Sequence, residues 1–199
     1  LTLYEKRVDE KDLPFFIGLM KNLFDKKFLS PEPIINKNGN YISDIAGKKA
    51  AVISFLDGAT KKSLNPENCY EVGLYTAKLH FITKNLALKR KNKLSVSSWR
   101  KIYDKVKKDC SKISPGLPNI IEKNLSSIEK NWPKNIPTGI IHADLFPDNI
   151  FFEKDKLSGI IDYYFSCNDA YAFEIAICLN ALCFEGSNEN LSFNVTKAK

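Results

Sequence analysis

Three side chains stand where they could do chemistry. Residues 142–149 read His-Ala-Asp-Leu-Phe-Pro-Asp-Asn, and a second apolar run, Gly159-Ile-Ile, ends on Asp162. A carboxylate two residues after a histidine, an amide five residues further on, and a second carboxylate past a hairpin suit phosphoryl transfer. That reaction asks the protein to orient an acceptor hydroxyl and to neutralise phosphate charge through a divalent metal. Asp144 is the expected base or orienter of the hydroxyl. Asn149 and Asp162 are the expected Mg²⁺ ligands, since oxygen donors suit a hard cation that keeps several waters. His142 joins the catalytic group as a brace for the loop through hydrogen bonds rather than as a proton carrier. Asp and Asn are also ordinary turn residues. The apolar strands on both sides and the shared spacing favour the chemical reading.

The elements that must position this set can be read from the chain. Thr138–His142, Ile150–Glu153 and Leu157–Asp162 read as short strands, with Lys154-Asp155-Lys156 as a hairpin connection. A helix is expected over about 169–184, with a polar tail after it. Upstream, Asn65 and Pro66 start a helix whose apolar face carries Cys69, Val72, Gly73, Thr76, Leu79 and His80. His80 reads as a core or supporting histidine. Further helices are expected at 98–110 and 119–132. Near the start, Asp12 reads as an N-cap and Pro14 as a first-turn residue of a helix carrying Leu13, Phe16, Ile17, Met20, Leu23 and Phe24. A strand at Ala50–Leu56 closes on Asp57-Gly58, a fitting connector between two lobes.

Bulk properties exclude several classes. A hydrophobic fraction of 44% over 199 residues supports a packed core rather than disorder. No apolar run approaches a bilayer-spanning length, so no membrane partner is expected. Five scattered cysteines without a CxxC pair fit reduced thiols in a cytoplasmic protein. The net charge of +7 invites a nucleic-acid reading. It comes from 27 Lys and only 3 Arg, with twelve basic residues against two acidic between Lys78 and Lys112. Base readout favours Arg, and Lys with 18 Asn reflects A-rich codons on solvated helix faces. No nucleic-acid partner is expected.

The loop and the Ile-Asp-Tyr that follows resemble the aminoglycoside phosphotransferase and choline kinase superfamily. Within it, HADLFPDNIFF, LSGIIDYYFSCND and FEIAICLNALCFEG are similar to the homoserine kinases. LTLYEKRV, DLPFFIGLM, AAVISFLDG and the run from Arg90 to Trp99-Arg100 resemble the same family in the same order. The resemblance implies an α+β, bilobal, protein-kinase-like fold. It would have a partial N-terminal nucleotide lobe with hinge at 1–57 and a C-terminal lobe at 58–199, mostly helical around a catalytic β-hairpin. It implies ATP and Mg²⁺ as cofactors and L-homoserine as the small-molecule substrate, a step of threonine biosynthesis. Ser54, Phe55 and Leu56 would be the hinge that meets adenine, or simply sheet packing. Arg100, and less directly Arg90, would pair with the substrate carboxylate, or Arg100 would be a solvated helix charge. Asn168 and Asp169 would line the acceptor pocket, with Asp169 open to an N-cap role.

The chain departs from that pattern in places. It opens mid-strand at Leu1, so a fragment is expected, lacking the strand and turn over the phosphates and helices beyond Lys199. The lysine-bearing strand falls where Thr2 stands, which leaves Lys6 as the substitute nucleotide ligand. Glu174 and Leu182 stand where Asp and Trp are expected, changes that fit a retuning of packing. The alternatives are a related choline- or aminoglycoside-type kinase, or a truncated, inactive remnant.

Overall fold

The computed structural model describes residues 1–5, 8–187 and 190–199. In chain order the elements are β1 (Thr2–Leu3), α1 (Leu13–Asp25), β2 (Pro33–Ile34), β3 (Ile42–Ile45), β4 (Lys48–Ile53), β5 (Ala59–Thr60) and α2 (Pro66–Thr83). They continue as α3 (Val96–Ile113), α4 (Leu117–Asn131), β6 (Thr138–Ile141), β7 (Ile150–Glu153), β8 (Lys156–Ile160) and β9 (Cys167–Ala170). The chain ends in α5 (Tyr171–Leu182), β10 (Phe184–Glu185), β11 (Ser192–Phe193) and α6 (Val195–Ala198). Two compact units result, one of residues 1–90 with 138–199 and one of residues 91–137. The lobe boundary expected after residue 57 falls inside the first unit.

The first unit holds all the sheets. β1, β3 and β2 each pair antiparallel with β4. β3 and β4 form a hairpin across Ala46-Gly47, both at positive φ (49° and 75°), the backbone a tight two-residue hairpin turn needs. β7 and β8 form the expected hairpin, and β5 adds to its β7 edge. β6 pairs with β9.

The helices follow their sequence signals, with one exception at a cap. α1 buries Leu13, Phe16, Ile17, Met20 and Leu23, the periodic set, together with Phe15 and Leu19. Asp12 sits at its cap position, but its carboxylate makes no cap hydrogen bond. It is ion-paired with Arg90 instead, at 2.9 Å. α2 starts on a capping box in which Asn65 and Asn68 satisfy each other's backbone N–H groups, and it buries Cys69, Val72, Thr76 and Leu79. The expected polar tail is partly structured: β10 pairs with β11, and Lys197 of α6 is buried on Glu185 at 2.7 Å. The core of this unit joins α1, α2 and the β6–β8 strands through Phe16, Leu79, Ile140, Leu145, Ile150, Ile160 and Tyr163.

The second unit is the hairpin of α3 and α4. Tyr103, Cys110 and Leu125 form its small core. The Tyr103 hydroxyl donates to the Pro118 carbonyl at 2.9 Å, and Trp99 meets Trp132 edge-on at 5.5 Å. Eleven basic residues against four acidic put the chain's formal excess charge here. Among the described residues no helix is long and apolar enough to cross a membrane.

Candidate active site

β6 delivers the chain to the loop at 142–149. Gly139 on that strand leaves room for Tyr171: a Cβ there would sit 2.0 Å from the Tyr171 hydroxyl. At the end of β6 the backbone kinks, with Ala143 at φ 65°. The kink is anchored from α5. Glu174, fully buried, accepts the N–H groups of His142 at 2.5 Å and Ala143 at 2.8 Å. A carboxylate taking two backbone donors is a strong, directional hold. His80 of α2 backs it, with Nε2 3.5 Å from Glu174 Oε2 and the ring stacked on Tyr171 at 4.2 Å. Position 174 is therefore the loop's anchor, not a packing variation. The available signal was an acidic residue in the apolar run Phe173–Leu179, where only a buried partner can justify a charge.

His142 is also fully buried, and both ring nitrogens are committed. Nδ1 accepts from the Asp144 N–H at 3.3 Å, and Nε2 lies 2.9 Å from the Ile161 carbonyl. These partners assign the Nε2–H tautomer. The ring ties the loop to the residue just past β8, and its nitrogens face protein on both sides.

Asn149 ends a 3₁₀ turn at Pro147–Asn149 and is buried. Its Nδ2 donates to the Asp144 carbonyl at 2.8 Å and to Asp144 Oδ2 at 2.9 Å. With the nitrogen committed, Oδ1 is the remaining branch. The Asn149 carbonyl accepts the Ile161 N–H at 3.0 Å, which sets Asp162 one residue beyond a bond to Asn149. Asp162 stands in the left-handed region, φ 62° and ψ 60°, a conformation that costs a residue with a Cβ about 1–2 kcal/mol. Strand β8 stops at Ile160, two residues earlier than the sequence suggests, because this turn intervenes. Asp144, Asn149 and Asp162 are thus brought together.

Burial pushes the Asp144 carboxyl above its ordinary range. The His142 ring and the Asn149 amide oppose the shift, while Asp162 and Asp148 add to it. Among the described residues no group of three or more His, Cys, Asp or Glu is arranged to hold a metal ion. An amide oxygen and one carboxylate fit a hard cation whose other ligands are water and phosphate.

The other expected residues have different surroundings. Ser54 is tied to Glu32 by its N–H and by its hydroxyl, both at 2.8 Å. Phe55 is 90% exposed. Leu56 packs on Gly159, where a Cβ would lie 2.6 Å from Leu56 Cδ1, so the segment expected as the hinge touches the β7–β8 hairpin. Asn168 is spent on the 88–90 segment: its Oδ1 accepts from Arg90 N–H at 2.7 Å. Asp169 Oδ1 accepts the Ala170 N–H at 2.7 Å, a local turn just before α5. Arg100 belongs to the second unit, where its guanidinium is ion-paired with Glu122 and Glu129 at 2.5 and 2.6 Å. The pairing expected with a substrate carboxylate thus meets two resident competitors. Lys6 lies outside the described residues.

A buried, braced loop carrying Asp144 and Asn149 is followed by a hairpin and Asp162 in a kinase-like α+β fold. The chain belongs to the phosphotransferase enzyme family, matched over residues 1–191. Over all 199 residues it is 47% identical to the homoserine kinase of Parvibaculum lavamentivorans and to that of Nitrobacter hamburgensis, covering 61% and 60% of those proteins. The chain therefore spans about three fifths of the length of these curated relatives. Among solved structures it is similar to amicoumacin kinase hAmiN, with TM-score 0.68 and 17% identity over 88% of this chain and 54% of that one. It is also similar to choline kinase from Cryptosporidium parvum, with TM-score 0.64 and 17% identity over 98% of this chain and 60% of that one. These two likenesses concern the fold.

Proposed function

We propose that this protein transfers the γ-phosphoryl group of ATP to the side-chain hydroxyl of L-homoserine. Asp144 receives the hydroxyl proton as the acceptor oxygen bonds to phosphorus, and the bond from phosphorus to the β–γ bridging oxygen breaks to release ADP. Asn149 Oδ1 and the Asp162 carboxylate would hold Mg²⁺, which neutralises phosphate charge when bound. Among the described residues the N–H groups of Phe55 and Leu56 make no hydrogen bond, which leaves them for the adenine edge. Lys6 is proposed on sequence position alone as a nucleotide ligand. Asp169, at the end of β9, is the candidate for the substrate ammonium.

The observation that carries this reading is the Asn149 side chain, whose amide nitrogen locks Asp144 while its oxygen is left for metal. The names of the 45–47% identical relatives support homoserine as acceptor. Five cysteines without disulfides, four of them buried, support a reducing, cytoplasmic setting. Burial pushes the Cys69 thiol up to about 11 and those of Cys167 and Cys178 to about 12. Turnover of L-homoserine, choline and an aminoglycoside should be compared with ATP and Mg²⁺ in excess. Homoserine should lead; a clear preference for either of the others would move the acceptor assignment.

A further inference from the structure

Arg90 is built into the turn that follows Asp162. Its side chain is 12% exposed. Nη1 donates to the carbonyls of Phe165 at 3.2 Å and Ser166 at 2.8 Å, and Nε donates to Asp12 Oδ2 at 2.9 Å. The guanidinium lies over the Phe16 ring, 4.7 Å from its centroid. The backbone of Arg90 is paired twice with Asn168, its N–H donating to Oδ1 and its carbonyl accepting from the Asn168 N–H, both at 2.7 Å. One residue thus joins the start of α1 to the segment 165–168.

That segment decides where the Asp162 carboxylate points. A non-glycine residue keeps a left-handed backbone only where its surroundings over-determine it. Before Asp162, Ile161 is held by Asn149 and His142. After it, the 3₁₀ turn Tyr163–Phe165 closes with Ser166 N–H on the Tyr163 carbonyl at 3.0 Å. The carbonyls at the end of this turn are the ones Arg90 grips. Phe16 also meets Tyr164 edge-on at 5.5 Å, which gives the turn a second contact with α1.

We infer that Arg90 is the positioning residue for the Asp162 carboxylate, with Asp12 of the α1 N-terminus orienting its guanidinium. This rests on the reading of Asp162 as a metal-binding group. It also removes Arg90 from the candidates for the substrate carboxylate, because the donors that would fork onto it are spent on protein oxygens. A lysine in its place would keep the charge but could not reach Asp12 and two carbonyls from one rigid plane.

The experiment compares Arg90→Lys, Asp12→Asn and Asp162→Asn with the unaltered chain. Mn²⁺ binding in the presence of ADP is followed by electron paramagnetic resonance, and amide hydrogen exchange is followed over residues 161–168. Arg90→Lys should weaken Mn²⁺ binding roughly tenfold, the change that matches loss of one charge-assisted hydrogen bond. ADP affinity without metal should stay within twofold, and exchange should quicken at Ile161 and Ser166 but not in α5. Asp12→Asn should act in the same direction by roughly threefold, and it decides the matter if Arg90→Lys does not fold. Unchanged Mn²⁺ affinity in a folded Arg90→Lys, beside a disabled Asp162→Asn, overturns the inference alone. Unchanged Mn²⁺ affinity in Asp162→Asn overturns the site reading and the inference together.

Discussion

Asn149 gives its amide nitrogen to Asp144 twice, at 2.8 Å to the backbone oxygen and at 2.9 Å to Oδ2. The proposed acceptor-orienting carboxylate and the proposed metal ligand are therefore one hydrogen-bonded unit. Moving either moves the other.

The ionisation of Asp144 should set the acid limb of the pH–rate profile. Its carboxyl is raised by burial, and Asp148 contributes to the rise. Asp148→Asn removes a nearby negative charge, so the Asp144 pKa should fall and the acid limb of kcat/KM should move to lower pH. An unchanged or upward-shifted limb would contradict this.

Asp144→Asn should also be more stable than the unaltered protein at neutral pH. A carboxyl whose folded pKa lies above its unfolded value binds its proton more tightly in the native state. Stability is then lost as pH rises from the unfolded value, about 3.9, through the raised folded one. The Tm advantage of Asp144→Asn should therefore be present at pH 7 and shrink as pH falls towards about 4. Calorimetry across that range measures it.

Glu174→Ala should be among the costliest substitutions in the chain. It strips the partners from the buried His142 N–H and the part-buried Ala143 N–H, a buried donor being worth about 1–3 kcal/mol when left unsatisfied. A loss of about 3–5 kcal/mol in urea unfolding is expected. Loss below about 1 kcal/mol would show that the loop does not depend on this anchor.

Gly139→Ala should clash with Tyr171, which cannot easily swing away because its ring is stacked on His80. Overpacking of this kind costs about 1–3 kcal/mol. Tyr171→Ala should recover part of the loss in the double variant. A fully additive cycle would mean that the two residues do not compete for the same space.

Much of the site was legible from residue types because the loop chemistry is local. His142, Asp144 and Asn149 lie within eight residues, and the hairpin to Asp162 announces itself by period and turn. The parts that were not legible depend on partners far away in sequence. Glu174 reads as a misplaced charge until the kinked N–H groups of His142 and Ala143 are set beside it. β9 has no strand signature in Cys-Asn-Asp-Ala and becomes a strand only because β6 lies alongside. Asp12 reads as a helix cap by position, yet its carboxylate pairs with a guanidinium 78 residues on. The same holds for Arg90 and Arg100, whose partners could not be read from charge alone.

The most direct test of the account is homoserine-dependent ADP formation by the unaltered chain and by Asp144→Asn, with ATP affinity measured in parallel. In the proposed role the Asp144 carboxylate takes the acceptor proton during transfer, so its loss should lower kcat by roughly a thousandfold. The dissociation constant for ATP should stay within about threefold, since ground-state binding does not use that group. Near-normal turnover by Asp144→Asn, in a chain that phosphorylates homoserine, would contradict the role assigned to Asp144 and the site built around it.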